Sequence, residues 1–282
     1  MTSARQSPDK PTSAPSSATG FLRGLVHDSR RRTIALCFLP LVALLAVAAF
    51  APLPMSLAQP GITADVLGSN RGKPVISVEG TSGERSDPAD GGLLMTTIAA
   101  TPPEATVRLP DVVRGWFRTD RAVMPRDAVY PVGGSTEEIK KHNADEMKQS
   151  QDDAVRAAQR ALHTSDLDVS LRLADVGGPS AGLLFTLGII SKAGGEDLTG
   201  GETVAGTGTI AEDGKVGPVG GVPLKTKAAK RDGATAFLVP RAECSDAQSN
   251  LPDGLRLIPV KTLDGALDAL RELKKDGDVP SC

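Results

Sequence analysis

From Thr33 to Met55 the chain reads TIALCFLPLVALLAVAAFAPLPM, without a single charge. A run of about 20 apolar residues is long enough to cross a bilayer as a helix. Such a stretch must span a membrane, be removed as a signal peptide, or be buried in a core. Nothing so uniformly apolar recurs, which disfavours a core. The length of the stretch, and of the region before it, favours a retained anchor over a cleaved signal. Arg23, Arg30, Arg31 and Arg32 lie on its N-terminal side. The positive-inside bias therefore puts the N-terminus in the cytoplasm and the bulk of the chain outside. Pro40 kinks such a helix without forbidding it. Residues 1–32 are expected to form a disordered cytoplasmic tail, rich in Ser, Pro, Ala and Thr over its first 20 residues. The expectation is a single-pass protein of the cell membrane.

After the anchor, residues 56–135 alternate short apolar runs with glycine and proline. Ile62–Leu67, Lys73–Glu79 and Leu93–Ala99 are expected strands, with a polar loop at Gly80–Gly92. Residues 107–118 suggest a short helix, with Trp116 and Phe117 either packing it down or lying on a membrane surface. Pro125 and Pro131 bracket an extended piece. Thr136–Leu162 reads as a long helix capped by Ser135, with Glu138 in the capping-box position. Its apolar residues are sparse, so its charges read as a solvated face, and 136–166 is taken as a connector. Leu167–Ala174 returns to strand. Then come an apolar helix from about Ser180, a hairpin turning at Glu212-Asp213-Gly214, a lysine-bearing helix over Pro223–Asp232, strands at Thr235–Val239 and Leu255–Val260, and a helix over Leu263–Lys274 capped by Thr262. This order predicts an α+β domain over 167–276.

The formal net charge is -2, and no basic stripe is interleaved with aromatics, so no nucleic-acid partner is expected. His27, His142 and His163 lie far apart and lack ligand spacing. No GxxxxGK[ST] signature occurs, and no cofactor is expected. Cys37, Cys244 and Cys282 are too few for a disulfide scaffold. A Cys244–Cys282 bridge is open to the chain on the oxidising side of a membrane but is not the expected state.

Two glycine turns remain. In DVGGPSAG, Ser180 follows Gly177, Gly178 and Pro179 and opens an apolar helix. A serine there sits among unpaired N–H groups at the positive end of a helix dipole, which suits a nucleophile next to an oxyanion site. It equally suits a plain N-cap, the commoner role. The pattern is not GxSxG, and no histidine follows in the domain, so a Ser-His-Asp triad is out. A lysine serves as base if burial lowers its pKa. Lys225, Lys227 and Lys230 on the second turn–helix unit are the candidates. Lys225, one turn from Ala228 and Ala229, is the one small neighbours could enclose. Thr207 or Thr209 could hold the amine, or be ordinary strand residues. Asp175 could orient the site or simply bond turn amides.

Together, Gly178-Pro179-Ser180-Ala181-Gly182 and Gly220-Gly221-Val222-Pro223-Leu224-Lys225, followed by Ala228-Ala229, resemble the proteolytic domain of Lon-type proteases, peptidase family S16. The resemblance implies a fold like the second domain of ribosomal protein S5. It implies a Ser180–Lys225 dyad supported by Thr207, and protein or peptide substrates. It also implies assembly as a homo-oligomer, a hexamer in many members. The whole chain is similar to membrane-anchored Lon-like proteins of Gram-positive bacteria. Segments such as Ala122-Val123-Met124-Pro125-Arg126 fit that group. Two departures stand out. The PDZ domain expected after the long helix is missing, with only His163–Asp166 in its place. Gly177 occupies a position that is acidic in many Lon proteases. No AAA+ module is evident. The expectation is a serine endopeptidase acting on flexible or unfolded extracytoplasmic proteins. The alternative is an envelope scaffold that keeps the fold with little hydrolysis.

Overall fold

The structure, a computed structural model, describes residues 19–79, 91–130, 135–173 and 176–282, with side chains from residue 30 onward. Most of the expected tail, most of the polar loop at 80–92, Pro131 and Asp175 fall outside these residues. The chain divides into two compact units, Met1–Ala51 and Pro52–Cys282.

The first unit is a helix, α1 (Thr19–Phe50). Its candidate span, Arg30–Phe50, has 21 residues; the most apolar 18-residue window in it has mean hydropathy 2.6, and none of it is buried. The uncharged run expected to be helical to Met55 stops at Phe50. Pro52 and Pro54 cannot donate to a helical ladder, and Met55 opens a strand instead.

The second unit contains β1 (Met55–Asp65), β2 (Ser69–Asn70), β3 (Lys73–Pro74), β4 (Ile76–Val78), β5 (Gly92–Ala100), α2 (Leu109–Trp116), β6 (Ala122–Pro125), α3 (Arg126–Val129) and α4 (Thr136–Ala161). There follow β7 (Val169–Leu171), α5 (Gly182–Gly194), β8 (Thr203–Gly206), β9 (Thr209–Ile210), β10 (Val216–Gly217), α6 (Val222–Arg231), β11 (Ala236–Pro240), a 3-10 turn (Arg241–Glu243), α7 (Cys244–Gln248), β12 (Arg256–Val260) and α8 (Leu263–Lys274). The capping box of α4 forms as the sequence predicts, Ser135 accepting from the Glu138 amide and Glu138 from the Ser135 amide. Thr262 caps α8. The extended piece expected after Pro125 is instead the helical turn α3.

Six strands form one sheet in the order β12-β11-β8-β5-β1-β6. From β12 to β5 the pairing is parallel; β5, β1 and β6 are antiparallel. The β-rich region at 56–135 and the domain drawn at 167–276 thus share a sheet, with β8 paired to β5 at Gly92↔Thr203 through Met95↔Gly206. The expected strand at Leu167–Ala174 shrinks to β7, which leaves the main sheet and pairs with β4. The expected strand over Thr203–Ala211 breaks at Thr207–Gly208 into β8 and β9, and β9 forms the anticipated hairpin with β10.

Buried on both faces, β11 reads as an uninterrupted apolar run. Ala236 and Leu238 face one core cluster, with α4, α5 and α8; Phe237 and Val239 face the other, with α6 and α7. α5 and α6 therefore cover opposite faces, and the C-terminal end of β8 emerges between them. Cys244 and Cys282 are joined in a disulfide, with Cα atoms 5.4 Å apart. The bridge not expected from the sequence forms because the tail after α8 returns to α7, where Gln248 Nε2 donates to the Cys282 carbonyl at 2.8 Å.

Candidate active site

Ser180 does not cap α5. Ala181 holds the N-cap position, and Ser180 lies one residue before it, half-buried. Three successive backbone groups fix the turn. The Gly178 amide donates to the Asn143 carbonyl at 3.2 Å. Ser150 Oγ donates to the Pro179 carbonyl at 3.0 Å. The Ser180 carbonyl receives two donors, the Gly208 amide at 3.0 Å and Thr207 Oγ1 at 3.2 Å. Gly178 has φ +86°, a conformation L side chains resist. With its backbone held on three sides, the serine leaves its own hydroxyl uncommitted among the described residues.

Asn143 and Ser150 belong to α4, whose polar residues are expected from the sequence to form a wet face. Ser150 is buried. The helix is a wall of the site, not a connector. Nothing in the sequence distinguishes Ser150 from the other polar residues of α4, except its spacing of three from Met147 on the buried side.

α6 begins at Gly221, a left-handed N-cap with φ 71°, and Lys225 follows one turn later. The Lys225 amide donates to the Gly221 carbonyl at 3.1 Å. The three candidate lysines separate cleanly. Lys227 reaches the Thr119 carbonyl, and Lys230 bonds the Gly254 carbonyl at 3.0 Å. Both are partly exposed. Lys225 is only 3% exposed, and Ala228 and Ala229, one turn along α6, are fully buried. Its Nζ donates to Thr207 Oγ1 at 3.0 Å. Burial pushes the Lys225 pKa down to about 8, against the opposing pull of the Glu243 carboxylate. Desolvation is the larger influence, because an ammonium loses its hydration shell there.

Thr207 follows β8 directly and is fully buried. Its amide continues toward β11, bonding the Leu238 carbonyl at 3.1 Å. That bond aims the hydroxyl at both partners: it accepts from Lys225 and donates to the Ser180 carbonyl. One hydroxyl therefore joins the lysine on one sheet face to the serine turn on the other. Thr209 does not join this chain of bonds. It lines a cleft of about 260 Å³ beside the serine turn, with Glu146, Gln149, Ser150 and Asp153 of α4 and Pro179.

The Leu183 amide is taken by the Gly208 carbonyl at 3.1 Å. The amides of Ser180, Ala181 and Gly182 bond no acceptor among the described residues, as expected at a helix start. They can receive negative charge developing next to Ser180. Among the described residues, no three His, Cys, Asp or Glu side chains converge.

A serine turn beside amides unbonded among the described residues, and a buried lysine of lowered pKa, are groups that acyl transfer without histidine can use. Residues 133–272 match the model of the Lon protease (S16) C-terminal proteolytic domain. The chain therefore carries a Lon-type proteolytic domain, with the α+β fold of that serine peptidase family. The match includes α4, in keeping with its role in holding the serine turn. It starts after β1, β5 and β6, three strands of the same sheet. A search of curated proteins gives no match.

Proposed function

We propose that this protein is a membrane-anchored serine endopeptidase in which Ser180 is the nucleophile, Lys225 the general base and Thr207 the group that positions the amine. The observation that carries this reading is the buried Lys225 amine on the Thr207 hydroxyl, which also holds the Ser180 carbonyl. In the neutral form, Lys225 takes the proton from Ser180 Oγ as that oxygen bonds to the substrate carbonyl carbon. The carbonyl oxygen becomes an oxyanion facing the amides of Ser180, Ala181 and Gly182. The ammonium then returns its proton to the leaving amine, and the peptide C–N bond breaks, leaving an acyl-enzyme. Water, deprotonated by the same lysine, adds to the acyl carbon. As the ester bond breaks, the proton goes back to Ser180.

Two features support anchoring with the catalytic unit outside the cytoplasm. Arg30, Arg31 and Arg32 stand at the N-terminal end of the candidate span in α1. The Cys244–Cys282 disulfide suits an oxidising compartment. Substrates are flexible segments or unfolded proteins that can lie across the cleft beside the serine turn.

A scaffold with little hydrolysis is the second reading. The observation in its favour is that Lys225 bonds Thr207, with no direct hydrogen bond to the Ser180 hydroxyl among the described residues. Catalytic hydrogen bonds are often loose before substrate binds. The two readings part in one experiment: the full chain and its Ser180→Ala variant are incubated above pH 8 with an intrinsically disordered protein. Cleavage by the parent alone supports the peptidase. Equal cleavage by both removes Ser180 as nucleophile, and no cleavage by either favours the scaffold.

A further inference from the structure

The short helix α2 carries more apolar surface than its packing uses. Its inward side is Val112 and Gly115, both buried. Gly115 lies so close to the sheet that a Cβ there would come within 2.8 Å of the Leu57 and Val123 side chains. Along the adjoining side stand Leu109, Val113, Trp116 and Phe117, all exposed, Trp116 at 72% and Phe117 at 87%. At 3.6 residues per turn these four fall within a sector of about 100°. A surface helix of a globular protein normally turns its apolar stripe inward and polar residues outward. Here an outward stripe ends in two aromatic rings. Between positions 108 and 121 there are also four arginines (108, 114, 118 and 121) against two aspartates (111 and 120), a net charge of +2.

Chain connectivity says what lies near this stripe. The Leu53 amide donates to the Val107 carbonyl at 2.9 Å, and the next residue, Arg108, is the N-cap of α2. Leu53 is three residues past Phe50, where α1 ends. Three extended residues reach no more than about 11 Å. Whatever the orientation of the two units, the start of α2 is held on a short leash to the end of the apolar helix.

We propose that α2 is an interfacial helix that docks on the bilayer at the leaflet where α1 ends. Trp116 and Phe117 enter the headgroup–acyl boundary, and the neighbouring arginines meet anionic headgroups. Amphipathic aromatic rings favour that boundary, and basic residues are drawn to anionic lipid. The proposal rests on α1 being a membrane span. Lys227, two residues after Lys225, reaches the Thr119 carbonyl just beyond α2, so the docked segment bears directly on the helix that carries the base.

Trp116 is the only tryptophan in the chain, so its fluorescence reports on α2 alone. The full chain is reconstituted into vesicles of phosphatidylcholine with and without phosphatidylglycerol. Flotation measures anchoring; quenching by brominated lipid and by aqueous iodide measures docking. The expected result is co-flotation, blue-shifted emission, strong quenching by lipid brominated near the headgroup and weak quenching by iodide. The variant Phe117→Ser should lose much of the lipid quenching while still floating. Co-flotation with iodide-accessible, bromine-insensitive Trp116 overturns the docking and leaves the anchor standing. Protection from both quenchers points to a second copy of the chain on this face and also overturns it. Failure to float removes the anchor and the proposal together.

Discussion

Lys225 Nζ lies 3.0 Å from Thr207 Oγ1, and both side chains are withdrawn from water. The pair arises from two elements far apart in kind. β8 delivers Thr207 from the centre of the sheet, and α6 delivers Lys225 from one of its faces. The same hydroxyl bonds the Ser180 carbonyl, so its removal affects two partners at once.

Thr207→Val keeps the shape and deletes the hydroxyl. The Lys225 amine then loses its partner in a buried site, and the Ser180 carbonyl keeps only the Gly208 amide. Leaving a buried polar group unsatisfied costs about 1–3 kcal/mol. Chemical denaturation should show a loss of that size. Peptidase kcat/KM should fall on the order of 10²-fold, as for loss of acid–base function. Thr207→Ser should restore most of both. Equal kinetics for Val and Ser variants would show that the hydroxyl does not serve the base.

The Lys225 pKa of about 8 sets a pH profile. Only the neutral amine accepts a proton, and at pH 7 about a tenth of it is neutral. Activity should rise roughly tenfold from pH 7 to a plateau above 9. Stability moves in the same direction. The unfolded lysine titrates near 10.5; between about 8 and 10.5 the unfolded chain binds more protons than the folded one. Stability therefore rises with pH across that window, by about 3 kcal/mol. Lys225→Met should abolish activity, remove this slope, and be the more stable protein at pH 7. Parallel stability curves for parent and variant would contradict a neutral buried lysine.

The serine turn and the lysine helix were legible because their signals are local. Glycines, a proline and a helical apolar run mark each turn, and small residues at 228 and 229 single out Lys225 from its neighbours. The sheet was not. Thr203 pairs with Gly92 across more than a hundred residues, and neither strand carries a mark naming its partner. Asn143 was missed for a different reason: it serves the turn through its carbonyl, a group every residue has. The Cys244–Cys282 bridge depends on where the tail returns, which only the packing of α8 decides.

Gly221 and Gly178 offer a paired test of how firmly the lysine must be placed. Both have positive φ. A Cβ at 178 would meet open space, whereas one at 221 would lie 2.9 Å from Ile98 Cγ2. Gly178→Ala therefore incurs backbone strain alone, about 1–2 kcal/mol. Gly221→Ala adds a clash with β5 at the residue whose carbonyl accepts the Lys225 amide. It should cost more stability, and should lower kcat more than it raises KM, because the base is displaced while the substrate cleft is untouched. If the two variants behave alike, contact with Ile98 does not govern the position of α6.

The disulfide bears on the same lysine. Cys244 directly follows Glu243, the carboxylate that holds the Lys225 pKa up against burial. Cross-linking across 38 residues is worth about 4 kcal/mol on the loop-entropy account, so Cys244→Ser with Cys282→Ser should lower the melting temperature markedly. It should also free the turn that presents Glu243. With that charge less well placed, the lysine loses its proton more readily, and the rise in activity should move to lower pH. Glu243→Gln should give the same shift with the disulfide intact and little loss of stability. A double serine variant that melts earlier yet keeps the parental pH profile would confine the bridge to holding the C-terminal tail, and would separate its structural effect from the tuning of the base.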